Sequence, residues 1–119
     1  MPSPGSPLIQ STRQAGRALV VRVGGRLALG PALFGLKPAI EKQIPAYATG
    51  LVLEMSAVAG IDSAGMGELV AIYFSLARRG VRVVLAGVED RVKQALAITR
   101  LDGIFTLCAD ESSALQQMK

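Results

Sequence analysis

The sequence predicts a small α/β domain: a mixed sheet of four to five strands with helices packed mainly on one side. Three observations predict it. Half of the 119 residues are hydrophobic and only 18% are charged, a balance that favours a folded globule over disorder. From Leu51 onward, short apolar runs alternate with amphipathic stretches, the spacing of strand–helix–strand units with parallel pairing and right-handed crossovers. Glycine and proline fall between these runs and mark their limits. Aromatic content is 4% with no Trp, so the core must be built from Val, Leu, Ile and Ala. The length suits one domain, divided as a mobile tail over 1–7, rich in Pro and Ser, and a single domain over 8–118.

Each element follows from its residues. Leu8 to Arg13 reads as a short first strand and Ala15-Gly16-Arg17 as a turn. Ala18 to Val23 is a stronger strand, led by Leu19, Val20, Val21 and Val23. Gly24-Gly25 suggests a bulge, after which Arg26 to Leu29 extends the strand. Gly30-Pro31 breaks the pattern. Pro38 disfavours a helix interior, which predicts a loop or single turn over 31–37 and a helix over about 38–44 that stops before Pro45. Leu51 to Ser56 is the central strand. Gly65 to Arg79 is the clearest helix, with Leu69, Ile72, Tyr73, Leu76 and Ala77 on one stripe and Gly80 at the position of a C-terminal cap. Val81 to Ala86 is a strand. Glu89 to Thr99 is a helix with Val92, Leu96 and Ile98 facing inward. Ile104 to Leu107 is a last short strand. A closing helix over Ala109 to Met118 takes its cap from Asp110 or Ser112. Met55 and Cys108 read as core residues.

Composition excludes several kinds of chemistry. The chain has no His and one Cys. The usual zinc and transition-metal sites, histidine acid–base catalysis and the Ser-His-Asp arrangement therefore fall away. No metal or other cofactor is expected. A lone Cys cannot close an internal disulfide and fits a cytoplasmic location. The N-terminus lacks the charge and apolar stretch of a signal peptide, and no apolar run approaches the ~20 residues of a membrane span, so no membrane insertion is expected. The net charge of +4 and pI of about 9.7 raise the question of nucleic acid. The cations are scattered, however, with no aromatic ladder to stack bases, and no direct nucleic-acid partner is expected.

The most informative segment is Gly60-Ile61-Asp62-Ser63-Ala64-Gly65-Met66-Gly67-Glu68-Leu69. It joins the central strand to the clearest helix. Asp62 and Ser63 therefore sit at a helix N-terminus, where backbone amides are unpaired and the dipole is positive. One reading of Ser63 is a helix cap. The other is a hydroxyl placed to carry a phosphate, favoured because Gly60, Gly65 and Gly67 thin the side chains around it. Ala64 and Met66 would supply an exposed apolar edge. The glycines match neither G-x-x-x-x-G-K-[ST] nor G-x-G-x-x-G, which excludes those nucleotide loops. Glu68 suits the first helical turn. Nothing supplies a base for Ser63, so the chain is not expected to be an enzyme.

The stretch Val58 to Leu69 resembles the D-S-[ST]-G-[LIM]-G signature of STAS domains, the anti-sigma factor antagonists. The likeness extends to Val20-Val21-Arg22-Val23-Gly24-Gly25-Arg26-Leu27, to the strands Leu51–Ser56 and Val83–Val88, to the helix Val92–Leu101, and to Phe105 and Asp110–Leu115. It covers roughly residues 8 to 118. The resemblance implies partner switching, in which unphosphorylated Ser63 permits binding to an anti-sigma factor that is also a serine kinase, and phosphorylation releases it. It implies a partner-binding surface formed by Asp62, Ser63, Ala64, Gly65, Met66 and Glu68. Two positions depart from the family pattern. Ala64 stands where many members have Ser or Thr, leaving Ser63 as the one acceptor of the pair. Ala28 stands where many have an acidic residue. The same fold would also serve an accessory subunit of a lipid or anion transporter, or a stressosome-like scaffold.

Overall fold

The computed structural model describes residues 6–118. The chain opens with a hairpin. β1 (Ile9–Ala15) pairs antiparallel with β2 (Ala18–Leu27) through a two-residue turn at Gly16-Arg17. Gly16 has φ +62°, the left-handed backbone that such turns need and glycine adopts without strain. Two short helices follow, α1 (Pro31–Phe34) and α2 (Leu36–Gln43). The chain then continues as β3 (Gly50–Ile61), α3 (Ser63–Ala77), β4 (Arg82–Ala86) and α4 (Asp90–Ile98). A 3-10 turn at Leu101–Gly103 leads into β5 (Thr106–Cys108) and α5 (Glu111–Gln117).

The five strands lie in the order β1-β2-β3-β4-β5. Only the β1–β2 pair is antiparallel; β2 to β5 run parallel. The α/β sheet expected from the sequence is therefore present, with five strands. Its two faces separate by alternation along each strand. On one face, Leu19, Val21, Leu51, Leu53, Met55, Val83 and Leu85 pack with Ile40 of α2, Leu69, Ile72 and Leu76 of α3, and Val92 and Leu96 of α4. On the other, Val20, Val52, Val84 and Ala86 lie beneath Ala114 and Leu115 of α5. Burial from both sides explains why these strands read as unbroken apolar runs. The Arg13–Glu111 ion pair and a bond from Arg82 Nη1 to the Gln117 carbonyl (3.1 Å) tie α5 down.

Several expectations need correction. α2 starts two residues before Pro38, which therefore lies in the first turn, where its missing N–H is no loss. β3 runs on to Ile61 and pairs with the bulged end of β2, well past the expected end at Ser56. Ile98 is 82% exposed, not inward. It lies six residues after Val92, about 240° round the helix. Ala77 is exposed and Tyr73 half-buried, leaving Leu69, Ile72 and Leu76 as the buried stripe. Cys108 is half-buried. β5 begins at Thr106 because the 3-10 turn and the bond from the Phe105 amide to the Leu101 carbonyl occupy the preceding residues. Residues 1–5 of the expected tail lie outside the described residues; Ser6 is 1% exposed, and its hydroxyl accepts from the Leu8 amide at 3.2 Å.

Gly80 closes α3 as the sequence suggests. Its φ is +74°. The Gly80 amide donates to the Ala77 carbonyl and the Val81 amide to the Leu76 carbonyl, the paired bonds of a Schellman end.

Candidate functional site

The junction of β3 and α3 is built around Asp62. It is the N-cap of α3, with extended backbone, and its Oδ1 accepts from the Gly65 amide at 2.9 Å. Its Oδ2 accepts from the Leu29 amide at 3.0 Å. Its own amide donates to the Leu27 carbonyl at 3.1 Å. One residue thus caps a helix and fastens the segment between β2 and α1 beside it. The Leu29 and Gly65 amides, in that order, hold its carboxyl below the usual carboxylate range. Of the two cap candidates, Asp62 takes the role, and Ser63 is left free of it.

Ser63 is the first residue of α3 and is exposed. Its hydroxyl has no hydrogen-bond partner among the described residues. The surrounding helix end carries the positive pole of the dipole, with the Gly65 amide taken by Asp62. The other expected surface residues fall into place differently. Ala64 and Met66 are half-buried against the main core, so the exposed apolar edge expected of them is reduced. Met66 is covered on one side by Thr99, whose Oγ1 lies 3.4 Å from its sulfur. Gly65 is buried, and a Cβ there would overlap the Leu27 carbonyl oxygen; this glycine is required by the packing of α3 on β2. Glu68 is half-buried, and its Oε2 accepts from the Lys37 amide of α2 at 3.2 Å. It joins two helices and does not point into open solvent.

Two apolar side chains stand exposed near the junction: Leu29, expected to end an extended strand, and Ile98, expected to face inward. Leu29, held by Asp62, is 70% exposed. Ile98, beside Thr99 at the end of α4, is 82% exposed. The helical wheel of α4 carries the signal for Ile98; nothing local to Leu29 announces it, because its position depends on a bond to a residue 33 places away. Ala28, where a carboxylate was noted as missing, is half-buried.

Among the described residues no group of acidic, Cys or His side chains could hold a metal ion, and no helix is long and apolar enough to cross a membrane. The junction engages both of its carboxylates, Asp62 and Glu68, with backbone amides. What it offers is an exposed hydroxyl on a positive helix end, with an apolar surround.

Comparison with known proteins gives a consistent picture. The family model for the STAS domain matches residues 10–114. A protein from Thermotoga maritima assigned as an anti-sigma factor antagonist superposes with a TM-score of 0.77 at 22% identity, over 90% of this chain and 92% of that one. A sulfate transporter family protein from Wolinella succinogenes gives 0.73 at 20%, over 98% and 94%. The Bacillus cell fate determinant SpoIIAA in its phosphorylated form gives 0.70 at 18%, over 93% and 99%. At these identities the likeness is one of fold.

Proposed function

The chain belongs to the STAS domain family, and from that membership we propose that it is a protein-binding switch, an anti-sigma factor antagonist whose partner is an anti-sigma factor acting as a serine kinase. The observation that carries this reading is Ser63: an exposed hydroxyl, free of capping duty, at the N-terminus of a 15-residue helix. Asp62 does the structural work at that corner, so chemistry at Ser63 leaves the fold intact. The partner covers Ser63 together with Leu29, Met66 and Ile98, and no catalytic step belongs to this chain.

A phosphate on Ser63 adds about −1.5 to −2 charge near neutral pH. The helix end offsets part of this, about 0.3–1 kcal/mol at an exposed position. A partner surface closed over the apolar surround must desolvate the rest. A penalty of about 2.7 kcal/mol weakens binding a hundredfold. The switch acts on association and requires no refolding.

The test is affinity capture with the wild-type chain beside Ser63→Asp. Retention of a kinase-type partner by the first and its loss by the second is expected. Equal retention by both overturns the reading. Ala28, in place of an acidic residue, supports a second reading as an accessory domain of a transporter or a scaffold, with the Wolinella relative as a precedent of fold. Capture of a membrane transporter in place of a kinase decides for it.

A further inference from the structure

Gly65 and Gly67 look alike in the sequence, and the structure separates them. Gly65 is imposed by the fold. A Cβ added at Gly67 meets no atom within 4 Å, and the residue is exposed on the second turn of α3. A glycine inside a helix destabilises it relative to alanine, and no packing within this chain requires this one.

The surroundings point to what does. Gly67 follows Ser63 by one turn, and the same line continues through Val70, half-buried against the main core, to Phe74, which is 52% exposed. Between Ser63 and Ala77 the only charged side chain is Glu68, and it is turned to the Lys37 amide. The carboxylates at this helix, Asp62, Glu68 and Glu41, are each engaged in hydrogen bonds within the chain, and three arginines nearby are not paired with acids. The Arg26 guanidinium lies beside Gly60; Arg100 follows Thr99, which touches Met66; Arg78 ends the helix. All three are exposed, and none takes part in an ion pair among the described residues.

We propose that Gly67 is the point at which a partner protein lays its backbone directly against α3, and that the partner surface carries acidic side chains around this contact. The proposal deepens the function given above and rests on the same surface. Close approach at Gly67 brings the partner within reach of Ser63 one turn away, and the arginine border attracts an acidic surface. A phosphate on Ser63 then acts twice: it obstructs the approach and cancels part of the positive field.

The probe is the protein retained by the wild-type chain, purified and titrated calorimetrically at 50 mM and 300 mM salt against wild type, Gly67→Ala and Arg100→Glu, with thermal unfolding of each variant. Gly67→Ala is expected to melt at or above the wild-type temperature yet bind at least tenfold more weakly. Wild-type affinity is expected to fall severalfold at the higher salt, and Arg100→Glu to weaken binding at low salt. A lower melting temperature for Gly67→Ala shows that the glycine serves the fold and overturns the proposal. Unchanged affinity in Gly67→Ala overturns the close approach, and indifference to salt overturns the acidic partner. The phosphorylation reading stands or falls separately, on whether Ser63→Asp retains the same probe.

Discussion

The Asp62 carboxylate accepts the Leu29 amide at 3.0 Å while its other oxygen accepts Gly65 at 2.9 Å. A single side chain therefore sets both the start of α3 and the position of an exposed leucine beside Ser63. The geometry separates holding the corner together from presenting the hydroxyl, and the following predictions use that separation.

Asp62→Asn keeps the shape but loses charge-assisted acceptance from two amides. The variant should melt below wild type at neutral pH, measured by circular dichroism, and the difference should shrink in acid. The sign follows from the Asp62 carboxyl, which the Leu29 and Gly65 amides hold below the ordinary carboxylate range. A group depressed in the folded state stabilises it above the ordinary value, and that contribution is lost as pH falls through the folded-state value. A melting difference that stays constant from pH 7 down to acid would contradict this assignment.

Gly65→Ala should destabilise the domain by about 1–3 kcal/mol, because the new methyl has no room against the Leu27 carbonyl and α3 must shift. Urea denaturation reads the change. A variant as stable as wild type would mean that α3 is free to move off β2.

Ser63→Asp should unfold at or slightly above the wild-type temperature. An acidic side chain in the first turn of a helix is favourable by about 0.3–1 kcal/mol, and Ser63 surrenders no hydrogen bond. A marked drop in melting temperature would show that the hydroxyl is structural.

Leu29→Ser should leave stability within about 0.5 kcal/mol of wild type, as surface changes usually do, because the bond to Asp62 uses the backbone amide. Affinity for the partner should fall. Loss of stability together with affinity would place Leu29 in the fold and not on the contact surface.

Leu85→Ala removes a side chain that is 0% exposed at the centre of the main core and should cost about 2–5 kcal/mol. The same substitution at Ile98 should be nearly silent, and chemical denaturation of the pair measures the contrast.

Much of this architecture was legible from periodicity. The strands and the three longer helices announce themselves because burial repeats with a period of two or of 3.6. The start of α2 was hidden by Pro38, since a proline in a first turn and a proline that breaks a helix look the same until the preceding residues are placed. The length of β3 was hidden because Ala57, Ala59 and Gly60 have weak strand preference and are extended only through pairing with the bulged end of β2. At the site, the Asp62-Ser63 corner was readable from residue type. The roles of Leu29, Glu68 and Gly65 were not, because each depends on atoms far away in sequence: the Asp62 oxygen, the Lys37 amide and the Leu27 carbonyl.

The strand order β1-β2-β3-β4-β5 has a consequence for how the chain is made. Each strand emerging from the ribosome finds its neighbour already synthesised, so no pairing has to wait for a later segment. β3, β4 and β5 each pair with a strand that precedes them in the chain, with α1 and α2, then α3, then α4 and the 3-10 turn in the intervening segments. The outer edge of β1 stays unpaired among the described residues, and its exposed polar side chains, Arg13 and Gln14 among them, discourage a second chain from joining there.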